Sequence, residues 1–173
     1  LVSRSLIKSF DEQKLDVNAI AKGWGVDRLF IYIQSLGYKN FMVEIGGEVR
    51  VSGSNNRGAD WRIGIDSPEP NFQPGEKIFA VIPIKDKAMA TSGNYRNFYK
   101  YNGKSYSHII DPRNGKSVES SLLSVTVLAE SCMDADALAT ALSILSYDQG
   151  LKLINSIEGS EALWILSDKS NDF

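Results

Sequence analysis

Short β-type runs fill the middle of this 173-residue sequence, and segments with helical periodicity flank them. The runs, each bounded by Gly, Asn, Asp or Pro, are Phe41–Ile45, Glu48–Ser52, 61–65, 78–83, 88–91, 97–101 and 122–128. Gly46 and Gly47 separate the first two runs and predict a tight hairpin, because glycine accepts the positive φ angles of such turns. Strands and helices that come in separate runs, without strict alternation, predict an α+β fold with an antiparallel sheet.

Two long helices are predicted, one on each side of the strand-rich region. The first, 18–36, ends before Gly37, and its apolar residues at helical spacing are Ile20, Trp24, Leu29, Ile31 and Ile33. The second, 129–145, is rich in Ala and Leu, and the residues spaced along one face are Met133, Ala137, Thr140, Ala141 and Ile144. A shorter helix capped by Asp148 runs to Ile154, and a last strand covers 162–166. We expect one domain, with the two long helices packed on the sheet in two layers.

Composition argues against two classes of function. The formal charge of -2 comes from 19 basic and 21 acidic residues spread along the chain, so a basic surface for nucleic acid is not expected. Cys132 is the single cysteine, which excludes an internal disulfide. Its place among apolar residues of a predicted helix indicates a small core residue and disfavours a thiol mechanism.

No stretch approaches the roughly 20 apolar residues that cross a bilayer. The opening residues, LVSRSLIKSF, also lack the apolar core of a signal peptide. The chain as given is therefore expected to be soluble. Because a helix signal follows soon after Leu1, we expect residues upstream of it, and this end does not identify a compartment.

The only histidine, His108, lies where a β-type run leads into the Asp111-Pro112 turn. Strand ends often hold catalytic groups, and an imidazole accepts a proton from a reacting hydroxyl near neutral pH. The alternative is a half-buried histidine bonded to a backbone carbonyl. A lone histidine has no partner for a histidine-based metal site. The sequence thus leaves His108 as either a general base or a structural residue.

Asp136 and Thr140 lie four residues apart in the second helix, which puts both oxygens on one face. Asp134 points well away from that face. One carboxylate and one hydroxyl suit a hard cation such as Mg²⁺, which keeps several waters or phosphate oxygens as ligands. The alternative is a solvated acid beside a threonine bonded to its own helix backbone.

Small residues mark two further candidate segments. Residues 18–25 put small side chains and Lys22 on the first turns of a helix, where unpaired N–H groups favour anions. Packing contacts explain these glycines equally well, and the run matches neither the P-loop nor the dinucleotide fingerprint. Residues 90–95 form another small-residue turn, which either admits a ligand or reverses the chain.

Four sequence blocks occur in a fixed order: LDVNAIAKGWGVDRL, FMVEIGGEVRVSG, ATSGNYRNFY followed by YSHIIDPRNGK, and MDADALATAL. In this order the chain resembles the FAD:protein FMN transferase family, the ApbE-type proteins. Members are usually nearly twice as long, so 1–173 resembles their C-terminal half. We therefore expect the N-terminal half of the family fold, with its further flavin contacts and lipid-anchoring cysteine, to lie outside this sequence.

The resemblance implies a set of metal ligands. The backbone carbonyl of Ala19 and the side-chain oxygens of Asp136 and Thr140 match ligands of Mg²⁺. Ala139 lies where some relatives carry another acidic ligand, which is therefore missing here. Asp134 would be a surface or outer acid.

The resemblance also implies the flavin contacts and the reaction. Lys22 and Ile110 match positions that contact FAD, and His108 matches the catalytic histidine. The implied activity is Mg²⁺-dependent transfer of FMN from FAD to a threonine hydroxyl of an acceptor flavoprotein, such as a subunit of a bacterial redox-driven ion pump, with release of AMP. The alternatives are an FAD-binding or delivery protein without transferase activity and an FAD pyrophosphatase.

A location follows from the same resemblance. The parent protein is expected on the extracytoplasmic, periplasmic face of the bacterial inner membrane. It would be held there through an N-terminal lipid anchor that lies outside this chain.

Overall fold

The computed structural model describes residues 7–69, 71–93, 98–101, 104–107, 109–118 and 121–167. Within these residues the helices are α1 (Asn18–Ser35), α2 (Cys132–Ile144) and α3 (Tyr147–Asn155). The strands are β1 (Phe41–Ile45), β2 (Glu48–Ser52), β3 (Trp61–Asp66), β4 (Ile78–Ile84), β5 (Ala88–Gly93), β6 (Phe98–Tyr101), β7 (Lys104–Ser107), β8 (Ile110–Asp111), β9 (Lys116–Ser117), β10 (Leu122–Ala129) and β11 (Glu161–Leu166). No helix in the part described has the length and apolar character needed to cross a membrane.

Five strands form one antiparallel sheet in the order β1-β2-β5-β10-β11. The hairpin of β1 and β2 pairs Phe41 with Ser52 and Ile45 with Glu48. It turns at Gly46 and Gly47, whose φ angles of 60° and 101° suit glycine. The predicted hairpin and antiparallel sheet are confirmed.

Helices cover one face of this sheet. The buried cluster between α1 and the β1–β2 side is Val26, Phe30, Val43, Ala88 and Cys132. The cluster between α2, β5 and β10 includes Ala90, Val125, Val127, Ala135, Ala139 and Leu142. The β3–β4 hairpin packs on the opposite face, where the buried residues are Val49, Val51, Ile65, Ile84, Met89 and Ile165. The α+β class, with a sheet packed against two long helices, is confirmed.

The residues whose spacing predicts the two helices are not the residues that form the buried helix faces. In α1 the buried residues are Gly23, Val26, Asp27 and Phe30, whereas Trp24 is 54% exposed. In α2 they are Cys132, Ala135, Asp136, Ala139, Leu142 and Ser143. The two helices cross so closely that a Cβ on Gly23 would lie 2.3 Å from the carbonyl oxygen of Cys132. Small residues therefore occupy the crossing, and larger apolar residues lie outside it.

Capping residues shift two predicted helix ends. α2 begins at Cys132 and not at 129, because Ala129 still pairs in β10 and the Ser131 side chain accepts the N–H of Asp134. The predicted cap of α3, Asp148, is wrong. Ser146 caps that helix in a capping box with Gln149.

Two predictions on the strands are corrected or left open. The strand predicted at 88–91 continues to Gly93, so residues 90–93 are not a turn. Residues 94–95 and Asn97, at the start of the predicted run 97–101, lie outside the described residues. Cys132 is fully buried, as predicted, and burial raises the pKa of its thiol well above the ordinary value.

Candidate functional site

The crossing of α1 and α2 joins residues that are 113 positions apart in the sequence. The backbone N–H of Gly23 donates to Asp136 Oδ2 at 3.0 Å, and both residues are buried. Only glycine allows this approach, because any side chain at position 23 would strike the backbone of Cys132 and Met133. The crossing therefore places the Asp136 carboxylate against the second turn of α1.

The same hydrogen bond places Ala19 near Asp136. In an α-helix the N–H of residue 23 faces the carbonyl oxygen of residue 19, about 2.9 Å away. Since that N–H also donates to Asp136, the Ala19 oxygen and Asp136 Oδ2 lie within about 6 Å of each other. Thr140 lies one turn beyond Asp136 on α2, and its Oγ1 is 3.4 Å from Ser92 Oγ on β5. The structure thus brings the predicted carbonyl and carboxylate together, with the hydroxyl on the adjacent turn.

Lys22, the predicted flavin contact, forms an ion pair with Glu48 at the start of β2. Its Nζ lies 2.5 Å from Glu48 Oε1. The Lys22 side chain is 49% exposed and the Glu48 side chain only 2%. Glu48 Oε2 is buried and has no hydrogen-bond partner among the residues described. The ion pair therefore joins a buried Glu48 carboxylate to a Lys22 side chain that is partly exposed to solvent.

Burial acts on both carboxylates at this place. It raises the pKa of Glu48, the ion pair with Lys22 opposes that shift, and the charge of Asp136 adds to it. Burial also raises the pKa of Asp136, opposed by the Gly23 N–H and by the charge of Lys22. Two carboxylates beside one ammonium make an environment in which a further cation is favoured.

The donor set fits a hard cation. Asp136 Oδ2 has the Gly23 N–H, whereas Oδ1 has no hydrogen bond within the described chain. A carboxylate, a hydroxyl and a backbone carbonyl are oxygen ligands of the kind that Mg²⁺ takes. The described ranges contain no group of three or more His, Cys, Asp or Glu side chains that could hold a metal. The candidate set therefore depends on the Ala19 carbonyl and the Thr140 hydroxyl beside one carboxylate.

Asp27 on α1 forms hydrogen bonds at another part of the crossing, to Arg50 and to the first turn of α2. Its Oδ1 accepts Arg50 Nη1 at 2.6 Å and the N–H of Cys132 at 3.0 Å. Its Oδ2 accepts the N–H of Met133 at 2.9 Å. The Arg50 guanidinium also lies over the Phe30 ring, 4.2 Å from its centroid. Asp27 thus caps the first turn of α2 from α1 and fixes the relative position of the two helices.

The segment after the predicted catalytic histidine contacts the other end of α2. Ile110, in β8, is 52% exposed, and no described contact joins it to Lys22 or Asp136. Arg113 Nη2 lies 2.8 Å from Asp111 Oδ2 and 3.4 Å from the Ile144 carbonyl oxygen. This guanidinium holds the pKa of Asp111 below its ordinary value. His108 lies outside the described residues, so its place relative to the crossing stays a prediction.

Sequence reasoning missed two residues of this site, Asp27 and Glu48, whereas the packing contact that it left open for the helix glycines is found at Gly23. Gly23, Val26, Asp27 and Phe30 have the spacing of one helix face, and an acid on such a face signals a buried partner. Glu48 directly follows the two-glycine turn in a strand that is otherwise largely buried. Asp134 is exposed, as expected for a surface acid.

The profile of the ApbE family matches residues 2–164. The chain is 46% identical over 147 residues to the FAD:protein FMN transferase of Vibrio cholerae, which covers 85% of this chain and 43% of that protein. It is 38% identical over 170 residues to the FAD:protein FMN transferase of Haemophilus influenzae, which covers 98% of this chain and 48% of that protein.

Solved structures show the same likeness. The flavin transferase ApbE from Vibrio cholerae matches with a TM-score of 0.76 at 42% identity, covering 90% of this chain and 48% of that chain. The apo form of the Pseudomonas stutzeri flavinyl transferase ApbE gives 0.73 at 35% identity, covering 90% of this chain and 46% of that chain. The chain spans about half the length of these relatives. The family match over residues 2–164 and the shared fold show that this chain belongs to the ApbE family.

Proposed function

We propose that the protein containing this chain transfers FMN from FAD to a threonine hydroxyl of an acceptor flavoprotein and releases AMP. The observation that carries the proposal is the 3.0 Å bond from the Gly23 N–H to Asp136 Oδ2. Through it, the Ala19 carbonyl on α1 and the Asp136–Thr140 pair on α2 converge. Relatives named FAD:protein FMN transferase, with up to 46% identity, support the same reaction.

Ala19, Asp136 and Thr140 would hold Mg²⁺. The chemistry that the bound cation supplies is neutralisation of the FAD pyrophosphate oxygens and orientation of the bond that breaks. Asp136 is suited to this role because its Oδ1 has no hydrogen bond among the described residues, while the Gly23 N–H fixes Oδ2. The carboxylate is thus held in one orientation with an oxygen left for a ligand.

The remaining groups act on FAD and on the acceptor. Lys22 presents a partly exposed ammonium to the phosphates, and Glu48 holds that ammonium in place. Ile110 offers an exposed apolar side chain to the flavin. His108 accepts the proton of the threonine hydroxyl as its oxygen bonds to the phosphorus of the FMN half. The bond between that phosphorus and the bridging oxygen breaks, and AMP leaves.

The test uses the longest natural form that contains these 173 residues. It is incubated with FAD, Mg²⁺ and an acceptor domain that a known relative modifies. We expect the acceptor to gain the mass of one FMN, with an equal amount of AMP on chromatography. Free FMN and AMP without a modified acceptor would indicate an FAD pyrophosphatase, and intact FAD a binding or delivery protein. Either result, where the relative works, rejects the transferase.

Two variants assign roles within the site. His108→Ala should abolish transfer and leave FAD binding largely intact, and unchanged transfer would remove His108 from the mechanism. Asp136→Asn should shift the dependence on Mg²⁺ to higher concentration. Asp134→Asn is the matched control, because Asp134 is an exposed acid on the same helix. It should leave both transfer and Mg²⁺ dependence unchanged.

The location and the acceptor class rest on the family resemblance. We infer that the complete protein acts on the extracytoplasmic face of a bacterial inner membrane, held by an N-terminal lipid anchor. Its acceptor would be a subunit of a redox-driven ion pump. Cell fractionation of the native protein tests the location, and its recovery in the cytosolic fraction alone would contradict it.

A further inference from the structure

Glu48 carries a buried carboxylate oxygen that the proposed reaction does not use. Its side chain is 2% exposed, Oε1 is bound to Lys22, and Oε2 has no hydrogen-bond partner among the residues described. A buried polar group without a partner is destabilising, and more so when it is charged. Such a group in a native fold calls for an explanation, and an absent ligand or water is one of the few available.

The surroundings of Glu48 identify the kind of ligand. Gly46 lies against this ion pair, since a Cβ there would be 3.6 Å from Lys22 Cδ and 3.9 Å from Glu48 Oε2. Lys22, which binds Glu48, directly precedes Gly23, whose N–H donates to Asp136 Oδ2, so both acids contact the same turn of α1. Two carboxylates with one lysine favour a cation, or the hydrogens of water bound to a cation, and disfavour a phosphate oxygen at Oε2.

We propose that Glu48 is a further cation-binding residue, whose Oε2 accepts a hydrogen bond from a water of the Mg²⁺ shell while Oε1 positions Lys22. The inference rests on the proposed function and deepens it. Mg²⁺ held by few protein ligands keeps several of its waters. Carboxylates that bond to the ligands of a metal raise its affinity by about 10–100-fold.

A purely structural role for Glu48 predicts a different outcome. If the ion pair only tied the β1–β2 hairpin to α1, Glu48→Gln would lower the free energy of unfolding and leave metal affinity unchanged. The cation-binding role predicts weaker metal binding without a loss of stability. Glutamine removes a charge that burial disfavours, and it leaves Lys22 half exposed to water.

The experiment measures Mn²⁺ binding, by the spectroscopic signal of the free ion, to the longest natural form without FAD. Glu48→Gln should raise the dissociation constant about tenfold or more. Asp136→Asn should raise it further, because Asp136 is a direct ligand in the proposal. The matched control is Glu44→Gln, an exposed acid on the same hairpin that undergoes the same charge change. Its Oε1 accepts the Gly47 N–H at 2.7 Å, and glutamine keeps that acceptor, so Mn²⁺ affinity should not change.

The outcomes separate this inference from the proposed function. Parent-like affinity in Glu48→Gln, with weak binding in Asp136→Asn, overturns the role of Glu48 alone. Parent-like affinity in both variants, or no binding by the parent, overturns the Mg²⁺ site as well. If Glu48→Gln does not fold, Glu48→Asp replaces it, because aspartate keeps the charge and withdraws the carboxylate by one methylene. Unchanged Mn²⁺ affinity in that variant also overturns the role of Glu48.

Discussion

Two parts of the α1–α2 crossing contain buried carboxylates, and they differ in how completely these are bonded. In the first part, which we call the closed end (Asp27 and Arg50), both Asp27 oxygens accept hydrogen bonds, from Arg50 and from the Cys132 and Met133 N–H groups. In the second, the open end (Glu48 and Asp136), one oxygen of each acid accepts a hydrogen bond and the other has no partner among the described residues.

The difference in hydrogen bonding assigns a structural role to the closed end and a ligand-binding role to the open end. A buried acid whose acceptors are all filled contributes to stability, and its loss leaves donors unpaired. Buried acids with unfilled acceptors weaken the fold unless a ligand completes their bonding. Substitutions at the closed end should therefore change stability, and those at the open end should change ligand binding.

The largest effect should come from the residue that both ends share. Gly23→Ala would place a Cβ 2.3 Å from the Cys132 oxygen, so the helices must separate. We expect a loss of about 3 kcal/mol in the free energy of unfolding, measured with urea. Gly25→Ala is the control, because its Cβ meets only the Ile45 side chain at 3.4 Å. Alanine there gains up to about 1 kcal/mol of helix propensity. Equal stability of the two variants would contradict the close crossing.

Adding Mg²⁺ should stabilise the protein through the open end alone. At a concentration of about 100 times the dissociation constant, binding raises the free energy of unfolding by about 2.7 kcal/mol. Urea unfolding with and without Mg²⁺, or after chelation, measures this gain. Asp136→Asn should lose it and Asp27→Asn should keep it. A gain that Asp136→Asn retains would place the cation elsewhere.

A somewhat smaller effect is expected from the closed end. Asp27→Asn removes the partner of Arg50 and one of the two acceptors that cap α2, which should cost about 2 kcal/mol. Asp134→Asn changes an exposed acid in the first turn of the same helix and should cost about 0.5 kcal/mol or less. Chemical denaturation of both variants at neutral pH measures the difference. Similar losses would mean that Asp27 does not hold the crossing.

The smallest effect is a pH dependence of stability without metal. Burial raises the pKa of Glu48 and of Asp136, so the folded state binds protons at these groups more tightly than the unfolded state. Their contribution is fully present below the ordinary carboxyl range and is lost as the pH rises through the raised pKa values. Glu48→Gln should therefore gain stability relative to the parent as the pH rises above the ordinary carboxyl pKa of about 4. A difference that shrinks with rising pH would have the wrong sign.

Local signals predict the elements well because they depend on residues a few positions apart. The helix predicted at 18–36 is Asn18–Ser35, and the hairpin turns at the two predicted glycines. Helix ends are less predictable where several residues compete to cap them. Asp148 is a reasonable cap from the sequence, yet Ser146 is the residue whose side chain accepts the N–H of Gln149.

The candidate site could be predicted in part. The family resemblance, which rests on the order of the four sequence blocks, indicates Ala19 and Asp136 as site residues. The structure brings their helices together through Gly23. The roles of these residues, and that of His108, stay predictions. Glu48 was not predicted, because its environment depends on a helix that lies far from it in the sequence.

The sequence by itself determined the α+β class, the two long helices and the family. Those properties follow from spacing and order along the chain. Only the tertiary structure decided which acids are buried and what they meet, since the partners of Glu48, Asp27 and Asp136 lie 26, 105 and 113 positions away. The physical reason is the close crossing of α1 and α2 at Gly23, which requires small residues at the contact. Asp27 and Asp136 lie on the facing sides of these helices and are therefore buried.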